Sequence, residues 1–337
     1  MSLPPNRQYR LARRPGARIA REDFAWTQEP APVPAEGEIL VRTRYLSLDP
    51  TNKLWMTDVP QYLPPVAIGA VMRGGGIGEV IASKLDGYAP GDLVFGMTGW
   101  QEYACLAPGG PLGLARLPAG AGLPPEKFLG ACGPTGVTAY YGMIDICRPQ
   151  NGETAIVSAA AGAVGSVAGQ LARIAGARAV GIAGGAEKCR LLVEEFGFAA
   201  AVDYKAADWR EQLVAATPGG AHMLFENAGG PVMEASLERM RIGGRVALCG
   251  MMSAQSGEHS TRADYAILIA RRLQVQGFNI IDYGERWPAA AAKLAGWIAS
   301  GGLDGRETLV EGLENAPEAL NMLFDGRNVG KLVLRVA

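Results

Sequence analysis

Residues 154–188 read TAIVSAAAGAVGSVAGQLARIAGARAVGIAGGAEK, and this stretch constrains the fold more than any other. An apolar run at 154–158 suits a buried strand. A turn of small residues follows at 160–165, and then Val164, Val167, Ala168, Leu171 and Ile174 recur at helical spacing. A second apolar run at 179–183 closes a strand–helix–strand unit of about 30 residues, the size of one half of a dinucleotide-binding domain.

The small residues have a physical purpose. A pyrophosphate needs unpaired backbone N–H groups, and a helix N-terminus offers them. The backbone approaches closely only where no side chain intervenes, so Gly162 is expected against the phosphates, with Ala163 and Val164 beside it. Gly165 lets the helix lie tightly on the strands. The first glycine of the usual G-x-G-x-x-G is replaced by Ala160. The uncharged run 154–172, with its G-x-x-x-G at Gly165 and Gly169, approaches the length of a membrane span. It is mostly Ala, Gly and Ser, with Gln170 inside it, and is too weakly apolar to insert readily.

The end of the second strand bears on which dinucleotide binds. An NAD site carries an acid there for the ribose 2′-hydroxyl. Here the place reads Ala183, Gly184, Gly185, with Glu187 slightly beyond and Lys188 next to it. An acid-free pocket with a nearby cation favours NADPH over NADH.

Composition narrows the classes. Lys plus Arg is 32 against 33 Asp plus Glu, so no basic surplus points to nucleic acid or an anionic membrane. Five scattered cysteines (Cys105, Cys132, Cys147, Cys189, Cys249) form no C-x-x-C, which suits free thiols in a reducing compartment. His222 and His259 are the only histidines, and no spacing suggests a metal site. The segment MSLPPNRQYRLARRP lacks the apolar core of a signal peptide, so a cytoplasmic location is expected.

In chain order, residues 1–125 read as β-rich, with strands expected at 37–45, 76–83, 91–95, 103–106 and 112–117 between Pro and Gly turns. Helices are expected at 124–131 and 135–146. Strands and helices alternate from 154 to about 279, which predicts a doubly wound parallel sheet. Helices at 287–300 and 316–324, the latter N-capped by Asn315, precede a strand at 331–336. The tail is expected to complete the first domain, giving a β-rich domain at 1–125 and 298–337 and an α/β domain at 126–297.

With these residues in view, the chain resembles the medium-chain dehydrogenase/reductase superfamily over nearly its full length. Within it, the resemblance is to the zinc-free branch of prostaglandin reductases, alkenal double-bond reductases and bacterial curcumin reductases. It is carried by LSLDP at 46–50, PPVAIGAVMRGGGIGEV at 64–80, GWQEY at 99–103, TGVTAYYG at 135–142, AAAGAVGSVAGQLA at 159–172, GIAGGAEKC at 181–189, DYK at 203–205, FENAGG at 225–230 and GRNVGK at 326–331. The His of the zinc enzymes is missing from GGGIGE at 74–79.

The resemblance implies a Rossmann NADP-binding domain joined to a GroES-like barrel, and reduction of the C=C bond of an α,β-unsaturated ketone or aldehyde. It implies that Gly162, Ala163, Val164 and Gly165 wrap the pyrophosphate. Lys188 and Tyr204 would take the 2′-phosphate. Asn227, Cys249, Gly250, Met251, Ser253, Phe278, Asn279, Thr138 and Asn328 would line the rest of the cofactor. Relatives are often homodimers. Many carry Asp-Pro-Tyr-Met-Arg where this chain has Asp49, Pro50, Thr51, Asn52, Lys53, and a second tyrosine where it has Ala270. Asn52 and Tyr62 are therefore the expected catalytic replacements. Trp55, Met56 and Trp100 read either as cleft lining or as core. A quinone reductase and a non-catalytic NADP-binding protein are the alternative functions.

Overall fold

The computed structural model describes residues 4–59, 61–110, 112–118, 122–252 and 265–336. Two compact units share them. One comprises 1–129, 307–328 and 332–337, and the other 130–306 and 329–331. The divisions fall at 129/130 and 306/307, where the sequence suggested 125/126 and 297/298.

The first unit begins with an antiparallel pair, β1 (Pro5–Leu11) on β2 (Phe24–Pro30). Its main sheet contains β3 (Ile39–Ser47), β4 (Gly76–Ser83), β5 (Leu93–Gly96), β6 (Tyr103–Leu106) and β7 (Ala115–Arg116). A short helix, α1 (Pro50–Trp55), follows β3 where the sequence suggested no helix. Trp55, Met56 and Trp100 are 6%, 0% and 0% exposed, which settles them as core.

The second unit opens with α2 (Pro134–Tyr140), which widens into a π-helical turn at Tyr141–Cys147. The sequence pattern at 135–146 had suggested one regular helix. A bond from Arg148 N–H to the Met143 carbonyl closes the turn, with Arg148 at φ 50°. Then come β8 (Thr154–Val157), α3 (Ala163–Ile174), β9 (Arg178–Ala183), α4 (Ala186–Glu194), β10 (Ala200–Asp203), α5 (Trp209–Ala216), β11 (Ala221–Glu226), α6 (Gly230–Glu238), β12 (Met240–Leu248), α7 (Tyr265–Arg271), β13 (Gln274–Gly277) and α8 (Trp287–Ala299). The sheet order is β10-β9-β8-β11-β12-β13, all parallel. Counted from β8, that is 3-2-1-4-5-6, the doubly wound order whose switch point lies between β8 and β11. Ligands in such sheets bind outside the carboxyl ends of the strands there.

Helix α3 has twelve residues, and no helix among the described residues is long and apolar enough to cross a membrane. Its G-x-x-x-G has a local purpose instead. A Cβ on Gly169 would lie 1.9 Å from the Phe198 ring, so the glycine lets that buried ring pack flush against the helix.

The tail supplies β14 (Glu307–Glu311), α9 (Ala316–Asp325) and β15 (Lys331–Arg335). The first unit's sheet then runs β14-β15-β3-β4-β5-β7, with β6 also on β3. Asn315 stands at the N-cap of α9, but its side chain donates to the Glu311 carbonyl instead of capping.

Candidate cofactor site and substrate-side residues

The turn after β8 places an open helix N-terminus at the switch point. Gly162 is the N-cap of α3, no side chain caps it, and its backbone bridges in parallel to Gly330. The tight bend falls on Ala159, at φ 47°. Ala160 lies outside the left-handed region and is fully buried, which explains why alanine serves where the usual motif has its first glycine. A Cβ on Gly165 would lie 2.4 Å from the Ala159 carbonyl oxygen, so glycine is required there. At Gly162 a Cβ would meet only that oxygen, at 3.2 Å, and the other side is open. Ala163 and Val164, half-buried, form the first turn.

At the end of β9, Gly184 and Gly185 lead into α4, with Lys188 in its first turn. The Tyr204 ring and the Lys205 stem lie over Gly184, each about 3 Å from where its Cβ would stand (2.9 and 3.0 Å). Burial holds the Lys188 ammonium below its ordinary value, and the neighbouring Lys205 charge adds to this, against Glu187. The one carboxylate ending β10, Asp203, accepts backbone N–H bonds from Gly185 at 2.7 Å and Lys205 at 3.0 Å. Two cations and a phenol thus surround a helix N-terminus that has Glu187 in its first turn and Asp203 beside it, one oxygen of which accepts backbone bonds. Such a cluster fits a dianionic phosphate. Sequence reasoning named Lys188 and Tyr204 but passed over Lys205, although a basic residue directly after a strand end was a readable signal.

Across the switch point, Asn227 is buried, and its side-chain NH2 donates to the Ser158 carbonyl at 2.8 Å. The Ser158 hydroxyl accepts the N–H groups of Asn227 and Ala228. Glu226 is fully buried, and one of its oxygens accepts the N–H groups of Ala228 and Gly229, each at 2.6 Å. Its other oxygen has no hydrogen-bond partner among the described residues. Burial pushes this carboxyl up to about 7, against the opposing effect of its hydrogen bonds to Gly229, Ser158 and Ala228. Glu226 was not among the sequence candidates; its signal is a carboxylate ending the apolar run HMLFE.

The loop after β12 hangs on the same residue, since Cys249 and Gly250 N–H groups both donate to the Glu226 carbonyl. The Cys249 thiol is enclosed, and burial, with Glu226 beside it, pushes it up to about 12. Cys249 therefore acts through its backbone and packing. A Cβ on Gly250 would lie 3.3 Å from the Asn227 carbonyl. Met251 is 39% exposed, and Ser253 lies outside the described residues.

Phe278 makes an edge contact with Phe225, centroids 6.3 Å apart, and presses on Gly142. Asn279 accepts the Ile281 N–H at 3.1 Å and so caps the turn that follows. Thr138 donates its hydroxyl to the Pro134 carbonyl, one turn back in α2. These contacts give all three residues local structural roles in the second unit.

In the first unit, Asn52 is a correction. It is 1% exposed, its Oδ1 accepts the Asp49 N–H, and its NH2 donates to the Arg73 carbonyl. Both ends of the amide are engaged by backbone, so Asn52 is a clasp instead of a substrate donor. Tyr62 differs. The residue is 45% exposed, while its hydroxyl turns towards Thr51 and Trp55. Burial of that end is the main cause that raises the phenol above the ordinary tyrosine value. Asn328 is buried, two residues before Gly330, whose N–H donates to the Ala161 carbonyl of the glycine turn at 2.8 Å.

Among the described residues no three or more His, Cys, Asp or Glu side chains converge as metal ligands would. Glu79, the remnant of the zinc enzymes' pair, is ion-paired with Arg44.

Residues 7–112 match the family model described as the N-terminal domain of oxidoreductase, and residues 163–296 match that of zinc-binding dehydrogenase. The chain is 39% identical to the NADPH-dependent curcumin reductase of Escherichia coli (strain K12), over 98% of this chain and 97% of that one. The chain belongs to the zinc-free branch of the medium-chain dehydrogenase/reductase superfamily. Another member, the NADP(+)-dependent 2-alkenal reductase of Nicotiana tabacum, is 37% identical over 89% of this chain and 88% of its own. The crystal structure of CurA from Vibrio vulnificus in complex with NADPH superposes with a TM-score of 0.92 at 40% identity, covering 98% of this chain and 99% of that one. Among medium-chain reductases, this chain thus has the α/β dinucleotide unit and the β-rich partner unit that the family's fold requires.

Proposed function

We propose that this chain is an NADPH-dependent reductase of the carbon–carbon double bond in α,β-unsaturated ketones and aldehydes. Its relatives named for curcumin and alkenal reduction support the reaction. The observation that carries the cofactor is the convergence of Lys188, Lys205 and Tyr204 at the end of β9, with Asp203 held by backbone. An acid free to bind a ribose 2′-hydroxyl would favour NADH, whereas paired lysines favour a 2′-phosphate.

Bound at these residues, NADPH would supply a hydride for the substrate β-carbon. The chain does the rest. The α3 N-terminus, with Gly162, Ala163, Val164 and Gly165, would hold the pyrophosphate. Ser158, Asn227 and Glu226 fix the turn and the 249–251 loop. Negative charge then develops on the carbonyl oxygen, and the α-carbon needs a proton. Tyr62 is our candidate to give it. Its hydroxyl lies beside Thr51, the position at which relatives carry a tyrosine, and it keeps its proton across the neutral range.

The test is NADPH consumption against a panel of enals, enones and quinones, with product identification. A saturated carbonyl product is expected. A hydroquinone as the preferred product points to quinone reduction. Tight NADPH binding with no consumption on any of them leaves a non-catalytic NADP-binding protein.

We also infer a homodimer formed along β13. That strand ends the six-stranded sheet, and all four of its residues are exposed. An open edge with unpaired N–H and C=O groups is a template for pairing with a second copy about a two-fold axis. The five cysteines are all free, which supports the reducing cytoplasm as the location.

A further inference from the structure

Glu226 closes β11 at the switch point of the parallel sheet, and its hydrogen bonds join three strand ends. One carboxyl oxygen accepts the Ala228 and Gly229 N–H groups, each at 2.6 Å, and so fixes the turn into α6. Its backbone carbonyl accepts the Cys249 and Gly250 N–H groups, at 2.9 and 3.1 Å, and so fixes the loop leaving β12. The Asn227 carbonyl takes the Met252 N–H at 3.1 Å, which extends that hold along the loop. From the end of β8, Ser158 accepts the Asn227 N–H at 2.7 Å, and its hydroxyl is also a partner of the Glu226 carboxyl.

The Glu226 side chain is fully buried, yet nothing balances a charge on it. Its second oxygen has no hydrogen-bond partner among the described residues. The titratable group facing it is the Cys249 thiol, from the end of β12, which is pushed up to about 12 and stays neutral near pH 7. Ser158 and Asn227, from β8 and β11, bring only neutral groups. His222 lies at the opposite end of β11, against Thr154. Among the described residues no cation acts on the carboxyl. Burial therefore favours the neutral acid, while the Ala228 and Gly229 N–H groups favour the carboxylate. The two effects nearly cancel around neutral pH, so a modest change nearby moves the proton.

The N-terminus of α3 begins shortly after Ser158, at the same switch point. Phosphates held there are a second source of negative charge at the crevice. They disfavour an ionised Glu226 and draw a proton from solvent onto its carboxylate. By linkage, that proton strengthens binding of the anion by the same factor.

We propose that Glu226 is a proton-linked positioning residue: its neutral form holds the ends of β8, β11 and β12 for NADPH, and NADPH binding is accompanied by uptake of a proton. The proton comes from the buffer and ends on the Glu226 carboxylate, and NADPH itself is unchanged. The linkage rests on the NADPH reading above.

Calorimetric NADPH titrations at pH 7.5, run in two buffers of different ionisation enthalpy, count the protons. At that pH a phosphate monoester, which titrates at about 6, is already ionised and adds little. Wild type is expected to take up about half a proton more than Glu226→Gln. Glutamine keeps an acceptor oxygen for the two N–H groups and cannot titrate. Between pH 6 and 8.5 the NADPH Kd should weaken about 3–10-fold more in wild type than in the variant. A further readout needs no variant. The carboxylic-acid C=O band in infrared difference spectra of wild type should grow when NADPH is added at pH 7.5. Equal proton counts in the two proteins, or a band that does not grow, overturns the linkage. So does a variant weakened equally at every pH with the wild-type slope retained, which leaves Glu226 a structural role alone. No NADPH binding by wild type at any pH overturns the NADPH reading and the linkage with it.

Discussion

Asp203 accepts the backbone N–H of Gly185 at 2.7 Å, across the gap between the ends of β10 and β9. That bond and the one from the Lys205 N–H fall on a single carboxylate oxygen and fix the acid beside Lys188 and Lys205. Lys188→Ala and Lys205→Ala should each weaken NADPH binding by about 10–100-fold, the value of one charge-assisted contact. NADH should change by less than about threefold. Fluorescence titration of both cofactors checks this, and equal losses for the two would remove the lysines from the phosphate site.

Gly165 and Gly162 should respond differently to alanine. At Gly165 the new Cβ meets backbone at 2.4 Å, so the turn must shift. A cost of about 1–3 kcal/mol is expected, with a Tm drop of several degrees and weaker NADPH binding. At Gly162 the fold has room, so Gly162→Ala should weaken NADPH with little change in Tm. Thermal unfolding and cofactor titration on the same samples distinguish the two.

Much of the second unit was readable in the sequence because strands and helices alternate with regular burial. The first unit was less so. The inward face of β1 carries Asn6 and Gln8, 3% and 2% exposed, and Asn6 bonds to Gln101 and the Tyr103 carbonyl, so no apolar alternation marks the strand. Helix α1 is six residues long and buries Asn52 and Lys53, too short and too polar for a period to show. At the site, the glycine turn and Lys188 were legible as local motifs. Glu226 was not, because its significance lies in its complete burial, and only the folded chain reveals that.

Glu226 gives a pH signature with a definite sign. Its carboxyl is raised to about 7 in the folded chain, above the unfolded value. Between about pH 4.5 and 7 the folded state holds a proton that the unfolded state has released, so stability falls as pH rises through that window. The integrated loss is about 3 kcal/mol, and it levels off above pH 7. Glu226→Gln should flatten this slope in urea unfolding series run from pH 5 to 8. An unchanged slope in the variant would assign the titration to another group.

Tyr62→Phe should lower kcat for enone reduction by about 100-fold, the lower end of general acid catalysis, without changing NADPH affinity. The raised phenol predicts no loss of wild-type rate between pH 6 and 8 from its ionisation. Stopped-flow rates under saturating NADPH test both statements. A kcat unchanged in Tyr62→Phe would move the proton source elsewhere.

Val275→Lys places a charge on the open edge of β13, where Val275 is 37% exposed. Light scattering should show the wild type at twice the chain mass and the variant at the chain mass. A wild type already at the chain mass would dismiss the dimer.

The pieces assigned to each unit are interleaved along the chain. Residues 329–331 belong to the second unit although 307–328 and 332–337 belong to the first, and they bond through Gly330 to Ala161 and through Lys331 to Arg306. No single cut in the polypeptide therefore yields a complete nucleotide-binding module. A fragment ending at residue 306 would leave the Ala161 carbonyl without its donor beside the glycine turn. Recombination that grafts this module onto a new partner must carry a three-residue patch from the far end of the gene. A module of this kind is inherited whole more readily than it is shuffled.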